Sequence, residues 1–213
     1  MNKTIELVNH WGAFEEKYPD GSIEDFCRYY LADQQGYKET GILVGGVIPT
    51  FTDGLLMKII GRISKLNMAY ANIALKGTAL NQIEEFGILQ TILKEKNPKK
   101  TEVIYANLFE LSSGTDMLSR MKKRGLICEY ADKQDKRSKR IELTSQGQAT
   151  ANVCLSKIEK NARMLLKPLS EDDKKLCIQL LKNIEIKLSA SWQKDKIKNF
   201  ADIYKEMMEK DNS

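Results

Sequence analysis

The chain has one histidine, His10, and four widely separated cysteines, Cys27, Cys128, Cys154 and Cys177, with no CxxC pair. A single imidazole without neighbouring thiols cannot supply a zinc-type ligand set, so no metal site is expected. Cysteines scattered in this way read as free thiols, mostly small apolar core residues of a reducing compartment. HExxH, GxSxG, a P-loop and GxGxxG are all missing. Each of those patterns places a particular catalytic or phosphate-binding group, so their absence argues against an enzyme and against a cofactor. No apolar run approaches the roughly 18 residues of a membrane span, and the N-terminus lacks a signal-peptide core. A cytoplasmic protein without membrane contact is expected.

What the chain does have is charge, unevenly placed. The whole carries a net +5. Residues 1–50 hold 4 basic and 8 acidic groups, whereas residues 94–140 hold 13 basic and 7 acidic ones. A local positive surplus is what a polyanion feels. With 42% apolar and 30% charged residues the composition is globular, and 213 residues suffice for one sizeable core or two small ones.

Hydrophobic periodicity predicts a mainly helical chain. Residues 3–33 read as two short helices, with Leu7, Trp11 and Phe14 in step on the first and Phe26, Tyr29 and Tyr30 on the second. Pro19-Asp20-Gly21 makes the turn, and Ser22 with Asp25 forms a capping box. Residues 34–49, Gly-rich and closed by Pro49, read as a linker. A long helix follows to about Lys76, with Leu55, Ile59, Ile63, Leu66, Tyr70 and Ile73 at threes and fours. Asn81 with Glu84 is expected to open the next helix, which Asn97-Pro98 ends. A short helix at Thr101–Phe109 precedes one started by Ser112 and Ser113 with Asp116 as its box, ending at Gly125. The period then changes to two at Leu126–Tyr130 and Arg140–Leu143, which predicts a β-hairpin. Thr144 caps a helix running to about Pro168, Ser170–Asp173 caps another, and a final stretch from Trp192 to Met208 also reads as helix.

The fold class is therefore mainly α with a small β-wing: a winged helix-turn-helix domain plus long helices forming a dimerisation region. The expected segments are 1–49, an N-terminal extension and linker; 50–80, a long dimerisation helix; 81–147, the winged domain; and 148–213, C-terminal dimerisation helices. The long helices carry more apolar surface than one small winged domain can bury, so a second copy is expected to cover it.

The Ser112–Arg124 helix turns Met117, Leu118 and Met121 inward. Small and basic side chains, Ser112, Ser113, Thr115 and Arg120 among them, face out, as a helix reading a major groove requires. Gly114 lets the backbone approach DNA. Asp116 is awkward beside phosphates unless it pairs with Arg120 or accepts from cytosine. The hairpin tip gathers Lys133, Lys136, Arg137, Lys139 and Arg140, and is narrow enough for a minor groove, with Arg137 foremost. Asp135 is expected to fold that turn or orient an arginine. A basic loop alone is commonly just a solvated loop; the order helix, short helix, helix, strand, basic loop, strand, helix is what argues for double-stranded DNA.

RMKKRGLICEY followed by DKQDKRSKRIELTSQG resembles the MarR family of bacterial transcriptional regulators. The resemblance lies in Arg124-Gly125-Leu126-Ile127, Asp135-Lys136-Arg137, and Leu143-Thr144 with Gly147. It implies a symmetric homodimer on a pseudo-palindromic operator. Ser112, Ser113, Thr115 and Arg120 then read the major groove, and Arg137 enters the minor groove, flanked by Lys136, Lys139 and Arg140. It also implies a repressor released by a small aromatic or anionic effector. Gly114 departs from the family's larger β-branched residue, and residues 1–49 have no counterpart in its common pattern. Two other readings stay open: a ligand- or redox-sensing protein without strong DNA binding, and a winged-helix scaffold for a protein partner.

Overall fold

A computed structural model describes residues 2–35, 45–135 and 137–209. Part of the expected linker and Lys136 lie outside the described residues. The chain forms two compact units, Met1–Lys58 and Ile59–Ser213.

The first unit begins with α1 (Lys3–Lys17) and α2 (Ile23–Gln35). The expected capping box is present: the Asp25 N–H donates to Ser22 Oγ at 3.1 Å, and the Ser22 N–H donates back to Asp25 Oδ2 at 3.1 Å. The hairpin closes on aromatic rings. Phe14, 2% exposed, meets Trp11, Tyr18, Phe26 and Tyr29 at centroid separations of 5.2 to 5.8 Å. Such tilted and edge-on contacts suit the ring quadrupole. Helix α3 (Thr52–Ala74) leads into the second unit.

There α4 (Ile83–Glu95), α5 (Lys100–Ala106), α6 (Leu111–Lys123), strands β1 (Ile127–Ala131) and β2 (Lys139–Leu143), and α7 (Ser145–Leu165) build the winged helix. Its core holds Ile88, Leu89, Ile104, Leu118, Met121, Leu126 and Ile141, each fully buried. Each such side chain contributes about 1.5–3 kcal/mol on burial. The strands pair antiparallel, with Ile127 opposite Leu143 and Ala131 opposite Lys139. The turn before α5 lies along β2: Ile141 N–H donates to the Pro98 carbonyl at 3.0 Å, and Lys99 bridges Arg140. Helix α7 is capped by Thr144 as expected, its Oγ1 accepting from Gly147 N–H at 3.0 Å. It rests on α3, where Asn161 Nδ2 donates to Asn67 Oδ1 at 3.1 Å and Lys157 Nζ to the Ala74 carbonyl at 3.0 Å.

Three sequence expectations are corrected. Asn81 and Glu84 do not form a capping box; Asn72, from α3, accepts the Ile83 N–H at 2.7 Å, and Glu85 accepts the Asn81 N–H at 2.8 Å. Helix α6 starts earlier than Ser112, with Glu110 at its N-cap, so Ser112 and Ser113 lie in the first turn and no Ser-x-x-Asp box forms. The expected helix Trp192–Met208 is broken: its first residues belong to α8 (Glu171–Asp195), opened by the expected Ser170/Asp173 box, and the rest to α9 (Phe200–Glu209). Asn199 makes the break, because its Oδ1 accepts the Asp202 N–H at 3.0 Å and thereby caps a new helix.

Candidate nucleic-acid interface

Helix α6 shows two faces. Gly114, Met117, Leu118 and Met121 are buried; Ser112, Ser113, Asp116, Arg120, Lys122 and Lys123 are exposed; Thr115 is half-buried. Gly114 has a different role from the one its sequence position suggested. A Cβ there would come within 2.6 Å of Ile104 on α5, so the missing side chain serves the α5–α6 crossing and is turned away from solvent. Ser119 Oγ donates back to the Thr115 carbonyl at 2.9 Å. Asp116 does not pair with Arg120, and among the described residues no acid meets the Arg120 guanidinium. That leaves a cation free on the outer face.

The wing is held by two aspartates. Asp135 folds the tip: its Oδ1 accepts the Arg137 N–H at 3.0 Å and its Oδ2 the Ser138 hydroxyl at 2.7 Å. Asp132, 2% exposed, anchors the base. Its Oδ1 accepts the Gln134 N–H at 2.8 Å and the Asp135 N–H at 3.3 Å, and its Oδ2 accepts Arg140 Nε at 2.6 Å. Arg140 Nη1 also donates to the Asn97 carbonyl at 2.8 Å. The structure thus places Arg140 as a half-buried strut at the wing root, while Arg137 and Lys139 stay exposed.

Glu129 ties the wing to the helices. Its carboxylate, 7% exposed, lies 3.3 Å from Lys100 on α5, 3.0 Å from Lys122 on α6 and 3.9 Å from Lys139 on β2. Burial pushes the Glu129 carboxyl up, but hydrogen bonds from Lys122 and Lys100 outweigh it and hold the group below its usual range. One buried anion therefore gathers three cations from three elements onto one side of the unit. Sequence reading missed Lys100, Glu129 and Asp132, whose partners lie on other elements or across the hairpin.

The Asp132 carboxyl is held below the usual aspartate range, chiefly by the Gln134 N–H, with the Asp135 N–H and Arg140 helping against burial. A depressed folded value stabilises fully above the ordinary aspartate value and is lost as pH falls through the folded one. The wing's amide resonances are therefore expected to hold from neutrality to about pH 4 and to shift only below it. Asp132→Ala is expected to disorder residues 132–138 at neutral pH. Unchanged wing resonances in that variant would remove the anchor role.

The motif residues Arg124–Ile127, Thr144 and Gly147 prove to be scaffold. The Arg124 guanidinium pairs with the buried Glu85 of α4 and donates to the Ala79 carbonyl at 2.8 Å. Gly125 takes φ +73°, a left-handed turn that ends α6. Leu126 and Ile127 enter the core. The Thr144 hydroxyl donates to the Gly125 carbonyl at 2.5 Å, and Gly147 packs flat on Leu126.

Solved structures share this arrangement. PcaV, a transcriptional regulator from Streptomyces coelicolor crystallised with its natural ligand, superposes with a TM-score of 0.56 at 17% identity, over 67% of this chain and 97% of its own. The winged unit has the MarR fold. A mutant MarR from E. coli complexed with operator DNA superposes with a TM-score of 0.57 at 22% identity, over 61% of this chain and 92% of its own. HTH-type transcriptional regulator PecS of Dickeya dadantii (strain 3937) is 27% identical over 134 residues, 61% of this chain and 81% of PecS. No family model matches. The MarR fold thus accounts for about two thirds of the chain.

Of the thiols, Cys128 and Cys154 are pushed up, first by burial, away from the reactive thiolate range.

Proposed function

We propose that the protein is a homodimeric, sequence-specific DNA-binding transcriptional regulator, a repressor released by a small ligand. The observation that supports this reading is the Glu129 cluster, because one carboxylate holds Lys122 of α6 and Lys139 of the wing together. Ser112, Ser113, Thr115 and Arg120 then meet base edges and phosphates of a major groove, and Arg137 with Lys136 and Lys139 meets the neighbouring minor groove. Arg140 acts there through the wing root, positioning its neighbours. The similarity to a MarR bound to operator DNA supports the same reading.

The homodimer is supported by apolar surface. Ile63, Leu66 and Ile73 of α3 and Ile178, Leu180, Ile184 and Leu188 of α8 are each half or more exposed. Among the described residues of α8 only Asp195 is buried. A 25-residue helix with so little core of its own is stabilised by a partner surface, and a second copy supplies it.

Selection from random duplex DNA is expected to return an inverted repeat. Affinity for it should fall with salt at a log–log slope of about −0.9 per phosphate neutralised. Arg137→Ala is expected to weaken binding by about 1–3 kcal/mol and leave the dimer intact. Equal affinity in that variant would refute the wing assignment. Salt-independent retention would favour a protein-binding scaffold.

A further inference from the structure

The turn between α1 and α2 borders a cleft of about 570 Å³, within the roughly 300–1,000 Å³ typical of small-molecule sites. Three rings line it: Phe14 and Tyr18 from the end of α1, and Tyr29 from α2. Their centroids are 5.2 Å apart for Phe14 and Tyr18, 5.4 Å for Phe14 and Tyr29, and 5.9 Å for Tyr18 and Tyr29. The planes meet at 41°, 46° and 67°, so the rings form angled walls rather than a stack. Phe14 is buried, Tyr29 half-buried and Tyr18 exposed.

A cation already stands over two of these walls. The Lys17 ammonium lies 5.3 Å from the Tyr18 centroid and 5.4 Å from that of Tyr29, inside the roughly 6 Å over which a ring face attracts positive charge. Lys17 is exposed, and among the described residues no acid pairs with it. Its ammonium is a strongly hydrated point charge on a flexible stem, so returning to water costs it little. A cation wrapped in methyl groups donates no hydrogen bond to water. It gives up less on entering and buries apolar carbon against the rings.

The charges around the cleft favour the same occupant. Its charged lining is Lys17, Asp20 and Asp25. Asp25 is held below the usual carboxylate range, first by the Ser22 hydroxyl, and so is ionised at neutrality. Its Oδ1 lies 3.4 Å from Arg28 Nη1, whereas Asp20 has no ion-pair partner among the described residues. With Lys17 swung out, the rings and two carboxylates remain without a lining cation.

We propose that the α1–α2 cleft binds a small quaternary ammonium, which takes the place of the Lys17 side chain over Tyr18 and Tyr29 and is balanced by Asp20. The site lies wholly within the first unit and does not rest on the DNA-binding reading.

Titration of the full-length protein with choline chloride, at ionic strength held constant with sodium chloride, tests this through the ring resonances of Tyr18 and Tyr29. Both are expected to shift saturably. The uncharged isostere 3,3-dimethylbutan-1-ol is expected to bind about tenfold more weakly, or 1.4 kcal/mol. Lys17→Met is expected to tighten choline by about threefold or more, because a site that its own lysine fills part of the time binds in proportion to the open fraction. Tyr18→Leu is expected to weaken choline by about tenfold, since one of the two ring faces is lost. Unmoved tyrosine resonances, or equal affinity for choline and the alcohol, overturn the proposal. So does unchanged or weaker choline affinity in Lys17→Met. That variant leaves all three rings in place, and it decides the matter even where Tyr18→Leu loosens α1 against α2.

Discussion

Gly147→Ala is expected to destabilise the protein by about 3 kcal/mol or more, at the upper end of overpacking costs. The sign is what makes the test sharp. Gly147 lies within α7, and alanine in place of glycine ordinarily stabilises a helix by about 0.5–1 kcal/mol. Here a Cβ would stand 1.9 Å from the Leu126 carbonyl oxygen and 3.0 Å from its carbon. These are backbone atoms, and the same oxygen accepts the Thr144 N–H at 3.2 Å. No side-chain rotation can relieve the clash, so the Leu126 backbone and the start of α7 must separate. Against a total stability of about 5–15 kcal/mol, that is a large fraction. A urea midpoint that rises in the variant would show that α7 is not seated on the Leu126 backbone.

Arg124→Met is expected to cost about 3 kcal/mol, the lower end for breaking a buried ion pair because the arginine is 27% exposed. Glu85 is 1% exposed, and removing its guanidinium leaves a carboxylate in the core with only the Asn81 N–H at 2.8 Å. The loss should fall on the joint between α4 and α6, which sets the angle of the helix carrying Arg120. Glu85→Met with Arg124→Met is expected to recover most of the stability, since replacing both charges removes the uncompensated one. A double variant as unstable as the single would show that the arginine acts through the Ala79 carbonyl instead.

Both predictions concern residues through which the chain resembles MarR regulators, and both residues are structural. Arg124, Gly125, Thr144 and Gly147 hold α6 and the wing in place, whereas Ser112, Ser113, Arg120 and Arg137 sit outside the core. A motif of this kind is legible because scaffold positions tolerate few alternatives.

The sequence alone determined the element order, the hairpin and its basic tip. It also determined the caps at Ser22, Thr144 and Ser170, because each cap bonds a residue only three positions away and each strand declares itself by its period. Tertiary structure decided the rest. Asn72 caps α4 from eleven residues back, Gly114 serves a crossing with Ile104, Asp132 grips Arg140 across the wing, and Glu129 collects lysines from three elements. Those partners meet only once the chain has folded, and no local spacing announces a contact between residues that distant.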